Sequence, residues 1–329
     1  MRTPRFWYKE DRASALKAGA LAPLSLLFKI GTCLRRTFAV PYRARVPVVC
    51  IGNVVAGGAG KTPTALALAG ILKNSGQKPV FVTRGYKGNG QLTCVDLSRH
   101  KVSDVGDEAL LLAAAAPTWV ARDRVCAIRE AEMHGSIVIV DDGLQNPNLA
   151  PTASILVVDG DAGLGNGRII PAGPLRESLA NALKRVAAVI VIGERDCQNL
   201  AAKAQEAKVP VFRARLEPML PPGFPKLGRF VAFAGLARPE KFFATARAFG
   251  LDIASALEFP DHYVYGEADI DALRLEAEEQ GARLLTTEKD AVRLPPDFRA
   301  EILVLPVKLT FADAGAEKVL TDLILRAGR

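Results

Sequence analysis

The sequence predicts an α/β protein: a doubly wound, mostly parallel sheet, a smaller C-terminal α/β domain, and a basic amphipathic N-terminal segment. Three observations predict it. From residue 46 onward, short and continuously apolar Val/Ile-rich runs alternate with helix-like stretches, the rhythm of βαβ units whose strands are buried on both faces. A glycine-rich loop ending in Lys-Thr follows the first of those runs. Near residue 216 the rhythm is broken by "LEPMLPPGFPKLG", dense in proline and glycine.

Taken in order, the first element is the N-terminal segment, residues 1–45. It holds ten Lys and Arg against Glu10 and Asp11, so it carries the whole formal net charge of +8. The charges are mixed with "ALKAGALAPLSLLFKIGTCLRR". The uncharged run between Lys17 and Lys29 is shorter than the roughly 20 apolar residues of a spanning helix, and Pro23 lies inside it. A signal peptide would share the basic start, but further arginines follow where a cleavage site would stand. Two readings stay open. The segment is interfacial, with Leu16, Leu24, Leu27, Phe28 and Ile30 among acyl chains and Lys and Arg at anionic headgroups. Otherwise it is a helix packed on its own domain with a solvated basic face. No aromatic platform accompanies the charge, so nucleic acid is not an expected partner.

The core is expected over residues 46–216. Its strand-like runs are "VPVVCIG", "KPVFVTRG", "TWVARD", "SIVIVDD", "ASILVVDG", "AAVIVIG" and "VPVFRARL", with helical segments at 62–74, 107–116, 124–133 and 198–207. Residues 217–228 read as a linker. Residues 229–329 read as the smaller domain, from "RFVAFAG", "DIASALEF", "ARLLTTEKD" and "EILVLPVKL". Five scattered cysteines without a C-x-x-C pair argue against a disulfide framework or zinc cluster and for a reducing compartment.

Ligands of such a sheet gather at the C-terminal ends of its strands, and the chemistry-bearing motifs fall there. "VVAGGAGKTPT" follows a strand and opens a helix, which makes the sheet P-loop NTPase-like. Gly57, Gly58, Ala59 and Gly60 would turn backbone N–H groups toward phosphate, with the helix dipole adding attraction through Lys61, Thr62 and Pro63. Lys61 would reach the β- and γ-phosphates of ATP, and the Thr62 hydroxyl would serve Mg²⁺. Val55 stands where the common spelling of the loop has glycine, which marks a variant. "SIVIVDDGLQN" ends a strand in Asp141 and Asp142, the placement of a Walker-B carboxylate that serves magnesium.

Asp107 and Glu108 in "SDVGDEALLL" stand in a first helical turn. There a carboxylate either complements the dipole or acts as base or metal ligand. His262, one of three histidines, lies in "EFPDHYVYG". It is either a solvated loop residue or a group able to take a proton near neutral pH. Arg84 in "VTRGYKG" and Arg176 in "IIPAGPLRES" would contact substrate or phosphate, or sit as plain charges on turns.

These stretches, in their order, resemble the tetraacyldisaccharide 4′-kinase (lipid A 4′-kinase) family. The resemblance rests on "GGAGKTP", "TRGYKG", "GDEALLL", "DDGLQNPNL", "IIPAGPLRES", "FPDHY" and "TTEKDAVRL", from about residue 45 to 295. It implies a P-loop kinase that moves the γ-phosphate of ATP to the 4′-hydroxyl of an acylated glucosamine disaccharide 1-phosphate. Work would be done by a peripheral, monomeric protein on the anionic cytoplasmic face of the inner membrane. It also implies that the catalytic Asp and His are Asp107 and His262, that Asp141, Asp142 and Glu108 serve the metal or order the site, and that Arg176 approaches phosphate. Ala109 departs from the proline found in many relatives, and "TTEKDAVRL" carries no assigned role. The alternative is a membrane-tethered P-loop ATPase acting on a protein partner. The two part on where the γ-phosphate goes.

Overall fold

The broken rhythm of the sequence resolves into two sheets. The computed structural model describes residues 4–225 and 227–327. In chain order the strands are β1 (Val48–Gly52), β2 (Pro79–Thr83), β3 (Thr93–Cys94), β4 (Thr118–Val120), β5 (Ile137–Val140), β6 (Ala153–Asp159), β7 (Ala188–Ile192), β8 (Val211–Pro218), β9 (Arg229–Ala234), β10 (Asp252–Glu258), β11 (Arg283–Thr286), β12 (Leu303–Val304) and β13 (Val307–Phe311). The first sheet has the order β13-β8-β7-β6-β1-β5-β2-β4-β3, and the second β10-β9-β11-β12. All pairings from β8 through β4 are parallel, and the two edge strands β13 and β3 are antiparallel. Val49, Cys50, Ile51 and Ile137 to Val140 are fully buried, as continuous apolar strands covered on both faces must be.

The chain order 5-1-6 around β1 puts the first βα turn at the centre of the sheet, at its C-terminal edge. Helix α2 (Lys61–Asn74) springs from that turn. The second sheet is wholly parallel and carries its own core around Phe230, Phe233 and Phe298.

Two boundaries differ from the sequence reading. "EILVLPVKL" is two strands in two sheets: β12 closes the second sheet, and after Pro306 β13 pairs antiparallel with β8 of the first. Proline lacks an N–H for a ladder and turns the chain. Leu309, Ala316, Leu320 and Ile324 then pack into the core of the first sheet, so the smaller unit does not extend to residue 329. Nor is 217–228 a bare linker: Leu220 and Phe224 pack against the second core, with the Phe224 and Phe230 rings stacked 6.2 Å apart.

Most of the described N-terminal segment forms α1 (Arg12–Thr37), continuous through Pro23 and preceded by a short 3-10 turn at Arg5–Trp7. Asp11 caps it by accepting from the Ser14 N–H at 2.7 Å, and Arg35 and Arg36 complement the dipole in its last turn. With a mean hydropathy of 1.3 over its most apolar window, α1 is long and apolar enough by composition to cross a membrane, contrary to the estimate from its uncharged run. Yet it is tied to the core along its length. The Ser25 hydroxyl donates to the Ile169 carbonyl at 2.7 Å and accepts from the Ala172 N–H at 3.1 Å, while Arg36 pairs with Glu177 at 3.1 Å. Those anchors lie eleven residues apart, roughly 16 Å of helix, so α1 lies along the body and does not stand off it. Leu16, Leu24, Leu26, Leu27, Ile30 and Leu34 remain exposed.

Candidate active site

The phosphate loop is built as its glycines require. Gly60 caps α2 in the left-handed region at φ 80, and a Cβ there would meet the Ile192 side chain at 2.3 Å. Nothing lies within 4 Å of a Cβ at Gly57 or Gly58, so the loop's outer face is open. The buried Asn53 side chain braces it from behind, donating to the Gly57 carbonyl at 3.2 Å. Pro63 offers no N–H, which suits the first turn, where that donor would lack an intrahelical partner. The cradle therefore consists of free backbone amides at a helix N-terminus, with Lys61 beside them.

The two Walker-B aspartates face different partners. Asp141 accepts from the Thr62 hydroxyl at 3.2 Å with Oδ2, while its buried Oδ1 has no partner. Burial, then the negative charge of Glu108, pushes its carboxyl up to about 7. A buried carboxylate with an orphaned oxygen beside a hydroxyl fits a hard divalent cation that takes oxygen ligands. Asp142, in the left-handed region at φ 54, turns the other way, to Lys61 at 3.6 Å and Arg176 at 3.2 Å. Burial opposes its ionisation, but Lys61 and Arg176 outweigh it and hold its carboxyl below the ordinary range. Glu108 pairs with Lys289 at 2.8 Å. Thr62 and Asp141 thus present a hydroxyl beside an unpartnered carboxylate oxygen, whereas Asp142 pairs with Lys61 and Arg176 and Glu108 Oε1 pairs with Lys289. Among the described residues no cluster of three His, Cys, Asp or Glu forms a metal site by itself.

Asp107 begins helix α4 (Asp107–Ala113), which follows the short α3 (Val102–Val105). The N-cap is Gly106, which offers no side-chain hydrogen bond to the first turn. Asp107 Oδ1 accepts from the adjacent Glu108 N–H at 2.9 Å, and Oδ2 points across to the second unit, 2.9 Å from His262 Nδ1. Burial disfavours its charge; the His262 hydrogen bond and the Arg293 cation more than offset that, holding the carboxyl well below the carboxylate range. An ionised Asp107 accepts, so the hydrogen-bond network assigns a proton to Nδ1, and Nε2 is the ring nitrogen that Asp107 does not engage. His262 itself sits in the left-handed region at φ 55, with its N–H on the Gly235 carbonyl at 3.1 Å and its ring edge-on to Tyr86.

Of the two remaining basic residues, Arg176 joins the Asp142 ion pair, and Arg84 is exposed just beyond the end of β2. The structure adds residues that sequence reasoning missed. Arg238 and Lys241 of the second unit pair with Asp159 at the end of β6, the lysine at 2.8 Å, and Arg238 also reaches the Gly58 carbonyl at 3.5 Å. Gln145 donates to the Asn53 carbonyl at 2.8 Å and to Glu177 at 3.3 Å, linking the α1 anchor to the phosphate loop. All three charges of "EKD" find work. Glu288 accepts from Val307 N–H at the strand switch, Lys289 reaches Glu108, and Asp290 accepts from Gly235 N–H and the Tyr265 hydroxyl. The one sequence signal for these was the density of charge after a strand end.

Comparison with known proteins identifies the family and the fold. Residues 17–325 match the sequence model of the family described as Tetraacyldisaccharide-1-P 4'-kinase. A tetraacyldisaccharide 4'-kinase of Parvibaculum lavamentivorans is 50% identical over 298 residues, covering 89% of this chain and 87% of the relative. That of Paramagnetospirillum magneticum is 48% identical over 333 residues, 100% of this chain and 99% of the relative. Among solved structures, LpxK from Aquifex aeolicus in complex with ATP superimposes with a TM-score of 0.75 at 25% identity, covering 95% of this chain and 99% of that one.

Proposed function

This chain belongs to the tetraacyldisaccharide-1-P 4'-kinase family, and on that premise we propose how its residues divide the work of phosphate transfer. The reaction moves the γ-phosphate of ATP to the 4′-hydroxyl of a tetraacylated glucosamine disaccharide 1-phosphate. The observation that carries the assignment of roles is a set of charged contacts. Lys61 pairs with Asp142 at the phosphate loop, Glu108 pairs with Lys289 of the second unit, and the adjacent Asp107 lies 2.9 Å from His262 Nδ1 of that unit.

The backbone amides at Gly57 to Thr62 and the Lys61 ammonium hold the β- and γ-phosphates. Magnesium, held by the Thr62 hydroxyl and Asp141, would offset the charge of those phosphates. His262 Nε2 takes the proton of the 4′-hydroxyl as that oxygen bonds to the γ-phosphorus. The bond to the β,γ-bridging oxygen breaks, and ADP leaves. Asp107 keeps the imidazole in the tautomer that can accept, and its charge stabilises the imidazolium that forms. Arg176, held near the loop by Asp142, supplies positive charge to phosphate, and Arg84 offers a contact at the cleft mouth. Phosphoryl transfer of this kind is mainly positioning and charge neutralisation, which suits a site assembled from two rigid sheets.

The acceptor is a lipid, and the exposed leucines of α1, on the same helix as the exposed Arg12, Lys17, Lys29 and Arg35, support docking at an anionic surface as a peripheral protein on the cytoplasmic side of the inner membrane. One assay tests both parts. With [γ-³²P]ATP and the disaccharide 1-phosphate in detergent, label should move to the lipid; label released wholly as free phosphate would instead fit an ATPase acting on a partner. In vesicles carrying anionic lipid, deleting residues 12–37 should release the protein to the supernatant. Undiminished sedimentation of that truncated protein would place the docking surface elsewhere.

A further inference from the structure

The reading of Asp107 and His262 leaves open what aims a pair whose members belong to different units of the fold. Their joint hydrogen bond spans 155 residues of sequence. Asp107 starts a helix of the first unit, and His262 lies on a loop after β10 of the second. The first unit holds His262 through Tyr86, edge-on to its ring, and Lys87 Nζ, which donates to its carbonyl at 2.8 Å; a further group is bonded both to Asp107 and to the carbonyl that seats the His262 N–H.

We propose that Arg293 is the positioning residue of the phosphate-transfer site, holding Asp107 and the His262 loop in register from within the second unit. This rests on the roles given above to Asp107 and His262. The guanidinium is nearly sealed from solvent, with 3% of its side chain exposed. Nε donates to Asp107 Oδ2 at 2.9 Å, and Nη2 donates to the same oxygen. Nη1 donates to the Gly235 carbonyl at 2.8 Å and to Asp290 Oδ1 at 3.0 Å. That Gly235 carbonyl is also the acceptor for the His262 N–H. One planar fork therefore grips the side chain of the first partner and the backbone seat of the second.

The seat itself is over-determined. Asp290, fully buried, accepts from Gly235 N–H at 2.9 Å, from the Tyr265 hydroxyl at 2.8 Å and from the Thr287 hydroxyl at 2.7 Å. A side chain at Gly235 would press on both Asp290 and the Pro260 carbonyl, at 3.0 and 3.1 Å. Such constraint is what keeps His262 in its left-handed conformation, which a free loop would relax. A lysine could supply the charge of Arg293 but not two divergent pairs of donors, so the geometry calls for a guanidinium. The stretch "TTEKDAVRL" is thus a clasp: Lys289 fastens Glu108, Asp290 builds the seat, and Arg293 aims the pair.

A double-mutant cycle tests this in the full-length protein, with label transfer to the lipid in detergent as the readout. Arg293→Met should lower kcat about 10- to 100-fold with KM for ATP changed by less than about threefold, and Arg293→Lys should recover part of the loss. In an Asp107→Ala background the same Arg293→Met change should cost several-fold less than in wild type, because one of the two groups it holds is gone and only the His262 seat remains. Wild-type kcat in Arg293→Met, or the same fold-loss in both backgrounds, would overturn the proposal, the second outcome marking a merely structural residue. Thermal melts accompany each variant; if Arg293→Met does not fold, Arg293→Lys carries the cycle under the same criterion. Full activity in Asp107→Ala alone would instead refute the reading of the pair on which this rests.

Discussion

Replacing His262 with alanine is expected to lower the turnover of phosphate transfer about 10²- to 10⁴-fold, the range in which a positioned base contributes. ATP affinity should stay within about twofold of wild type, since an interaction made to the acceptor proton is not made to bound nucleotide. The expectation follows from position. His262 reaches the site from the second unit and makes its side-chain bond to Asp107, and among the described residues it has no hydrogen bond or ion pair to the phosphate loop. Steady-state kinetics with varied ATP, together with calorimetric nucleotide binding, separates the two quantities. Turnover unchanged from wild type would remove His262 from the chemistry. A parallel collapse of ATP affinity would make it part of the nucleotide site.

Asp141→Asn should lower kcat/KM about 10²- to 10³-fold, comparable to removing one preorganised electrostatic contact at a reacting centre. Asp142→Asn should cost less, because its carboxylate restrains Lys61 and Arg176 and is not the oxygen left without a partner. Stability provides a second readout with an unusual sign. The folded-state value of Asp141 is raised to about 7, above the unfolded carboxylate range. Its protonated form therefore favours the fold at low pH, and that contribution is lost as pH rises through about 7. Without nucleotide or metal, Asp141→Asn should then melt at or above the wild-type temperature at pH 8 while being nearly inactive. A variant that is both inactive and strongly destabilised at pH 8 would contradict this account of the pair, as would equal activity losses in Asp141→Asn and Asp142→Asn.

The location of the membrane contact carries a lesson about apolar counts. Read as a string, the run between Lys17 and Lys29 is too short to span and is broken by Pro23. Folded, the helix runs straight through Pro23 for 26 residues and passes the length test. Neither fact decides between spanning and lying down. In the folded chain the Ser25 and Arg36 anchors pin two turns of the helix to one loop region of the core.

Much of the site was open to reading along the chain. A phosphate loop is a local object: strand, glycines, Lys-Thr and helix occupy consecutive residues, and their mechanism needs nothing from elsewhere. The sheet was readable for the same reason, since continuous apolar runs of Val and Ile report burial on both faces one strand at a time. Beyond that, the ordered motifs indicated the family and, through it, Asp107 and His262.

What the chain alone could not specify were choices made by contact across distance. Asp141 and Asp142 are neighbours of identical chemistry, and only the backbone turn at φ 54 separates a carboxylate facing Thr62 from one facing Lys61 and Arg176. "EILVLPVKL" reads as one strand, and only the first sheet's open edge at β8 draws its second half away. Arg293 stood in a quoted motif without a role, because its partner Asp107 lies 186 residues earlier. Sequence by itself determined the phosphate loop, the parallel sheet and the family, since each is written in local spacing. Tertiary structure decided which carboxylate oxygen lies beside Thr62 without a partner, which carbonyl seats the histidine, and which cation bonds to Asp107, since those depend on groups that folding alone brings together.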